Sequence, residues 1–184
     1  MLGPVSGAHF NPVVTLIMRL RGELQTAVAL GYVLAQLLGG ILGVWAAHAM
    51  FDLPILELST KGRTGLGQWL GEAIATFGLI LTILGTVKHR HVWVPPSVAF
   101  YIVAAYWFTS STSFANPAIT LARSLTDTFA GISPADVPGF ILAQFAGGLL
   151  AHVVAGSLFP ARVAPGADAN RGAVGLGGRP STPV

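Results

Sequence analysis

Apolar runs of two lengths, separated by short polar interruptions, organise this chain. Gln25–Phe51, Gln68–Val87, residues 92–109 and Gly139–Phe159 are each close to the roughly 20 residues needed to cross a bilayer core, and read as full spans. Two shorter runs start at Asn-Pro pairs. Asn11–Leu20 and 116–125 are each about ten residues, or roughly 15 Å of helix, about half of a 30 Å core. Asparagine accepts hydrogen bonds from the free N–H groups of a first helical turn, and the fixed φ of proline suits the next position. Asn11 with Pro12, and Asn116 with Pro117, therefore open two half-helices that start at the midplane and complete one crossing together. Residues 1–10, 52–67, Lys88–His91 and 109–115 read as loops, and a helix start is expected around Ser133–Asp136. Pro95 and Pro96 fall in the first turn of the third full span, where proline is tolerated.

Composition places these runs in lipid. Of 184 residues, 53% are hydrophobic and 9% charged, against about 25% charged in an ordinary globular domain. The pI of about 9.8 raises nucleic acid as a partner. The net charge is only +3, however, and the basic residues sit at span ends rather than on one clustered face. Met1-Leu-Gly-Pro lacks the basic and apolar regions of a cleavable signal. Without cysteine there is neither a disulfide framework nor a thiolate metal site. No HExxH motif, paired carboxylates or nucleophile–base pair argues for an enzyme, a metal or a cofactor. If Lys88–His91 and the C-terminus are cytoplasmic, Arg19, Arg21, Lys88, Arg90, Arg162, Arg171 and Arg179 lie inside and Lys61, Arg63 and Arg123 outside, obeying the positive-inside rule. Residues 161–184, rich in Gly, Pro, Ala and Arg, read as a disordered cytoplasmic tail.

The sequence repeats. Asn11, Pro12, Thr15 and Leu16 match Asn116, Pro117, Thr120 and Leu121 at an offset of 105. Val33-Leu-Ala-Gln-Leu-Leu-Gly-Gly-Ile-Leu42 matches Ile141-Leu-Ala-Gln-Phe-Ala-Gly-Gly-Leu-Leu150 at an offset of 108. Inverted repeats with paired broken helices mark transporters and channels that carry their site at the midplane. The second copy, 68–160, has two spans, a half-helix and a span. The first, 1–51, has only the half-helix and one span, so symmetry expects two further spans before Met1.

These residues resemble the aquaporin (major intrinsic protein) family. Ser6-Gly-Ala-His-Phe-Asn-Pro-Val-Val-Thr-Leu16 is similar to its first signature, with Val13 where alanine is usual, and Asn116-Pro-Ala118 to its second. Gly71-Glu-Ala-Ile-Ala-Thr-Phe-Gly78 looks like the family's fourth span, and Ala35-Gln36 and Ala143-Gln144 fit its third and sixth. The resemblance covers about residues 3–160. It implies an all-α membrane protein, an aquaporin-like inverted repeat with four full spans and two re-entrant half-helices, lacking its first two spans. It also implies a multi-pass protein of the cell (inner) membrane, a homotetramer in the lipid bilayer, and passive passage of water or small neutral solutes.

Two half-helices would aim their positive N-termini at the pore, with Asn11 and Asn116 capping them and their NH₂ groups free to donate to a passing oxygen. A purely capping role for both asparagines is the plainer alternative. In water-selective members an arginine follows the second Asn-Pro-Ala; here Ile119 stands there. Arg123, one turn on, either sits at the outer mouth, paired with Asp127, or reaches back into the constriction. Ser113, three residues before Asn116, is the expected second filter residue. An isoleucine filter favours larger neutral solutes such as glycerol-like polyols, urea or undissociated metalloid acids. His9 lines or gates the inner vestibule, or braces its loop. Glu72, an intramembrane acid, is implied to hold backbone N–H groups of a re-entrant loop, with a proton relay as the alternative. Gln36 and Gln144 are expected to brace the half-helices, and Thr15 and Thr120 to bond back to their own helices. A non-conducting membrane fragment remains the competing reading of the whole.

Overall fold

The computed structural model describes residues 2–159; the expected tail, 161–184, lies outside them. Among the described residues all regular structure is helical. The helices are α1 (Gly3–Ser6), α2 (Pro12–Leu20), α3 (Thr26–Met50), α4 (Leu66–Arg90), α5 (Val94–Phe108), α6 (Pro117–Arg123) and α7 (Val137–Leu158). Three helical stretches are long and apolar enough to cross a membrane: Thr26–Met50, Leu66–Phe108 and Val137–Leu158.

Four boundaries differ from the sequence reading. The expected loop 1–10 contains α1, one turn with proline at its start and Gly7 closing it in the left-handed conformation at φ 77°. Lys88–His91 is not a loop. α4 continues to Arg90, whose extended backbone (φ −154°, ψ 80°) breaks the helix before a 3-10 turn at His91–Trp93 leads into α5. α6 stops at Arg123 rather than at 125, because the Ser124 hydroxyl donates to Leu121 O at 2.7 Å and closes the last turn. Ser133–Asp136 forms a turn, and α7 begins only at Val137.

In lipid, moving an apolar side chain from one apolar medium to another contributes little, so close packing and polar clamps must hold the helices. Glycine supplies the close packing. A Cβ on Gly147 of α7 would meet Ala73 O of α4 at 2.1 Å, and one on Gly148 would meet Val13 Cγ1 at 2.3 Å. The second contact accounts for Val13: the valine is fully buried in the space that a missing side chain at 148 leaves. Val13 and Ile17 of α2, Ala75, Leu79, Ile80 and Ile83 of α4, and Ala151 and Ala155 of α7 form the main core. In the repeat, Gly40 stands where Gly148 does, and its Cβ would lie 3.2 Å from Ala122 Cβ of α6.

α3 is different. It touches α2 and α6, but only His48 along it is buried. Leu30, Leu34, Leu38 and Leu42, spaced four apart on one face, are between 59% and 62% exposed. Gly39, the repeat counterpart of Gly147, has open space where a Cβ would go.

Candidate functional site

The two half-helices meet N-terminus to N-terminus through their asparagines. Asn11 is extended (φ −144°, ψ 122°), and its Oδ1 accepts from Val13 N at 2.9 Å; Asn116 is extended too, and its Oδ1 accepts from Ala118 N at 3.0 Å. Pro12 and Pro117 occupy the first helical turn and are buried. The amides then cross over. Asn11 Nδ2 donates to Ala115 O at 2.7 Å, and Asn116 Nδ2 donates to Phe10 O at 2.8 Å. Each asparagine thus holds the carbonyl that immediately precedes the other. The expectation of wholly free NH₂ groups needs correction: one N–H of each is committed to the clamp, and the second has no protein partner among the described residues. Two short helices have few other means of staying end to end.

The approach to each asparagine is a tight bend. Gly7 and Ala8 precede Asn11 with φ of 77° and 53°; Thr112 and Ser113, at the same offset of 105, precede Asn116 with 61° and 50°, and Ala115 follows at 47°. Left-handed backbone is costly for residues with a Cβ. Hydrogen bonds hold the second bend: Glu72, fully buried in α4, accepts from Phe114 N with Oε1 and from Ala115 N with Oε2, both at 2.8 Å.

Gln144 on α7 donates to Glu72 Oε2 at 2.6 Å and to Thr120 Oγ1 at 2.8 Å. Its counterpart Gln36 on α3 donates to His9 O at 2.7 Å and to Thr15 Oγ1 at 2.9 Å. Thr120 in turn donates back to Asn116 O at 2.9 Å, whereas Thr15 accepts from Gln36. His9 is half-buried, its ring 5.2 Å from that of Tyr32.

At the other end of α6, Ile119 is partly exposed and Ala118 buried. Ser113 is buried with no partner for its hydroxyl among the described residues. Arg123 does not pair with Asp127. Its guanidinium carbon lies 4.2 Å from the centroid of the Phe114 ring, while Asp127 accepts from Thr60 N at 2.7 Å and from the Thr60 hydroxyl at 2.9 Å. The Thr60 N–H bond, then the Thr60 hydroxyl, holds the Asp127 carboxyl below its usual value. The loop had already engaged the acid that Arg123 was expected to find.

Two residues that pack beyond this end of α6 escaped the sequence reading. Arg63 reaches in from the loop after α3. Its Nε donates to Gly131 O at 2.7 Å and one terminal nitrogen to Phe129 O at 3.0 Å; the other lies 3.4 Å from Ser111 O. Its guanidinium carbon is 5.0 Å from the same Phe114 ring, and burial pushes it below its ordinary pKa. His48, near the end of α3, is 2% exposed: Nδ1 pairs with Pro54 O at 2.6 Å and Nε2 with Thr126 Oγ1 at 2.8 Å. Arg63 lies in neither repeat copy, and His48 has only Gly156 at its counterpart position; an arginine in a loop with no acid within four residues was the only signal. Among the described residues no group of three His, Cys, Asp or Glu is placed to hold a metal ion.

Known proteins are similar to this chain in sequence. The family model described as major intrinsic protein matches residues 1–110. An aquaglyceroporin, AqpS, of Rhizobium meliloti (strain 1021) is 54% identical over 151 residues, 82% of this chain; the chain spans only 65% of that relative's length. The glycerol uptake facilitator protein-like 6 of Lactiplantibacillus plantarum is 30% identical over 163 residues, 81% of this chain and 73% of the relative. The lens fiber major intrinsic protein of Gallus gallus is 35% identical over 105 residues, 53% of this chain and 39% of the relative. The paired Asn-Pro half-helices, the repeat that carries them and these matches lead to one assignment: the chain belongs to the major intrinsic protein family of membrane channels.

Proposed function

We propose that the chain forms a passive conduit for water and small neutral solutes in the cell (inner) membrane, its four full spans and two re-entrant half-helices assembled as a homotetramer. The observation that carries this is the reciprocal clamp between Asn11 and Asn116. It leaves each amide one N–H directed to neither cap nor clamp, beside two converging positive helix ends. A solute oxygen passing there accepts two hydrogen bonds in succession; a cation meets two positive dipoles.

Glycerol-like polyols are the favoured solutes, with urea and undissociated metalloid acids such as arsenous acid in the same class. The apolar Ile119 supports this choice, as do an aquaglyceroporin and a glycerol-facilitator-like protein among the relatives. Ser113 and Arg123 complete the outer face of the filter and His9 the inner vestibule, while Glu72, Gln36, Gln144, Val13 and Ala118 hold the half-helices in place. The test is light scattering on proteoliposomes under glycerol and sucrose gradients. The parent chain should pass glycerol well above empty vesicles, and Ile119→Arg should cut glycerol flux at least tenfold while sparing water. Unchanged glycerol flux in that variant refutes the filter assignment. The bare leucine face of α3 favours the second reading, a membrane-embedded chain that conducts nothing by itself. Vesicles with no flux of either water or glycerol would establish it.

A further inference from the structure

Arg63 and Arg123 approach one aromatic ring from two segments far apart in sequence. Their guanidinium carbons lie 5.0 and 4.2 Å from the Phe114 centroid. A cation over an aromatic face is attracted by the ring quadrupole, and Phe114 is itself fixed by edge-to-face contact with Phe140 at 5.3 Å. Neither arginine makes a salt bridge with an acid among the described residues, although the buried Glu72 carboxyl, bound to Phe114 N, acts electrostatically on both. Two further carboxyls, Asp127 and Asp136, are engaged elsewhere. Asp127 accepts from Thr60, and Asp136 accepts the backbone N–H of Arg63 at 2.7 Å. Two like charges gathered on one ring repel each other and together raise the positive potential on this side of Phe114.

The two guanidiniums differ in what they have left to offer. Arg63 is committed: its Nε and one terminal nitrogen are bound to the Gly131 and Phe129 carbonyls. Arg123 has no hydrogen-bond acceptor among the described residues, although it is partly buried. Its N–H groups therefore await an oxygen. One residue before Phe114, the Ser113 hydroxyl is buried and has no partner among the described residues, in the loop whose Ser111 carbonyl Arg63 touches at 3.4 Å. Ile119, one turn before Arg123, offers neither charge nor donor.

We propose that Arg63 and Arg123, gathered on Phe114, form a two-arginine mouth that supplies the fixed cation and the donor which position 119 lacks. Arg63 is the positioning partner that holds the potential in place. Arg123 is the specificity-determining residue that donates to a neutral, oxygen-bearing solute. This rests on the channel reading above. The arrangement separates the two tasks: charge repels cations from a short distance back, while the apolar Ile119 keeps the passage wide enough for a polyol.

The test uses the full chain in liposomes, reading glycerol flux and sodium leak together, with melting temperature as the control for folding. The parent should pass glycerol and exclude sodium. Arg63→Gln with Arg123→Gln should raise the sodium leak at least tenfold, and adding Ile119→Arg to that pair should restore exclusion. A folded double variant that still excludes sodium overturns the proposal, as does a leak that Ile119→Arg leaves unrepaired. A readout without flux keeps it separable from the channel reading: phenylglyoxal should modify Arg123 several-fold faster than Arg63, and molar glycerol should slow the Arg123 reaction at least threefold. Absence of that protection overturns the proposal even if the vesicles conduct. Protection in vesicles that do not conduct sinks the channel reading alone.

Discussion

Replacing Glu72 with glutamine changes one atom and removes half of what the second bend depends on. In the parent, Oε1 takes Phe114 N, and Oε2 takes both Ala115 N and Gln144 Nε2. A glutamine keeps one oxygen and puts an NH₂ in place of the other, so one backbone N–H faces a donor. Gln144 cannot rescue it by turning its amide over. Its own Oε1 has no partner, but flipping would bring that oxygen against Thr120 Oγ1, whose hydrogen is already given to Asn116 O. An orphaned buried donor costs about 1–3 kcal/mol; counting the backbone N–H and the unmatched amide, Glu72→Gln should cost about 2–4 kcal/mol. For a chain of this size that lowers the melting temperature by roughly 5–15 °C. Glu72→Leu orphans all three donors and should cost more. Thermal unfolding in a fixed detergent gives the first number. Hydrogen exchange gives the second, since the Phe114 and Ala115 amides should lose about tenfold or more in protection. A Glu72→Gln protein that melts within about 2 °C of the parent, with both amides still protected, would refute the claim that the acid is there to hold the bend.

The repeat provides its own control for packing. Gly147→Ala drives a methyl into a helix backbone and should destabilise by about 1–3 kcal/mol or more, while Gly39→Ala, with open space, should be neutral or slightly stabilising; equal melting temperatures would contradict this. Asn116→Asp keeps the cap acceptor but loses the donor to Phe10 O, so about 1–3 kcal/mol of stability should go, and combined with Asn11→Asp the loss should be non-additive. Additive losses would mean the two amides do not act as a unit. The Asp127 carboxyl is held below its usual value by Thr60, so its contribution is complete above the unfolded carboxyl value and lost as pH falls through the lower folded one. An acid titration of the parent should therefore show destabilisation below about pH 4 that is weakened in Asp127→Asn, and identical acid midpoints would be evidence against it.

Elements that rest on local rules were legible in the sequence. Asn-Pro fixed where α2 and α6 start, and the length of apolar run separated the long helices from the short ones. Duplication added what one copy alone could not carry: Gln36 and Gln144 stand out because they recur beside Thr15 and Thr120. Illegible were the contacts that depend on loops folding over each other. Arg63 meets Gly131, Phe129 and Phe114, and His48 meets Thr126, through pairings whose register no periodicity encodes. The same limit explains Arg123. Its spacing from Asp127 implied an ion pair, but Thr60, remote in sequence, had the better geometry. The end of α4 was missed for a smaller reason: four basic residues read as solvent-seeking, although long cationic side chains can remain on a helix that reaches the interface.

The reciprocal clamp also sets a timetable. Asn11 needs a carbonyl 104 residues further along the chain, and Phe10 needs a donor 106 residues away. At about 5–20 residues per second, the first half-helix therefore waits roughly 5–20 s after its own synthesis before its partner exists. During that interval the Asn11 amide and the Phe10 carbonyl lack the partners they have in the finished fold. α2 consequently cannot complete these contacts as it is made. It completes them late, with α6, in one cooperative step whose loss of chain entropy is large because the contacts are so far apart in sequence. Any substitution that weakens either asparagine thus acts twice, once on the finished protein and once on the yield with which it is assembled.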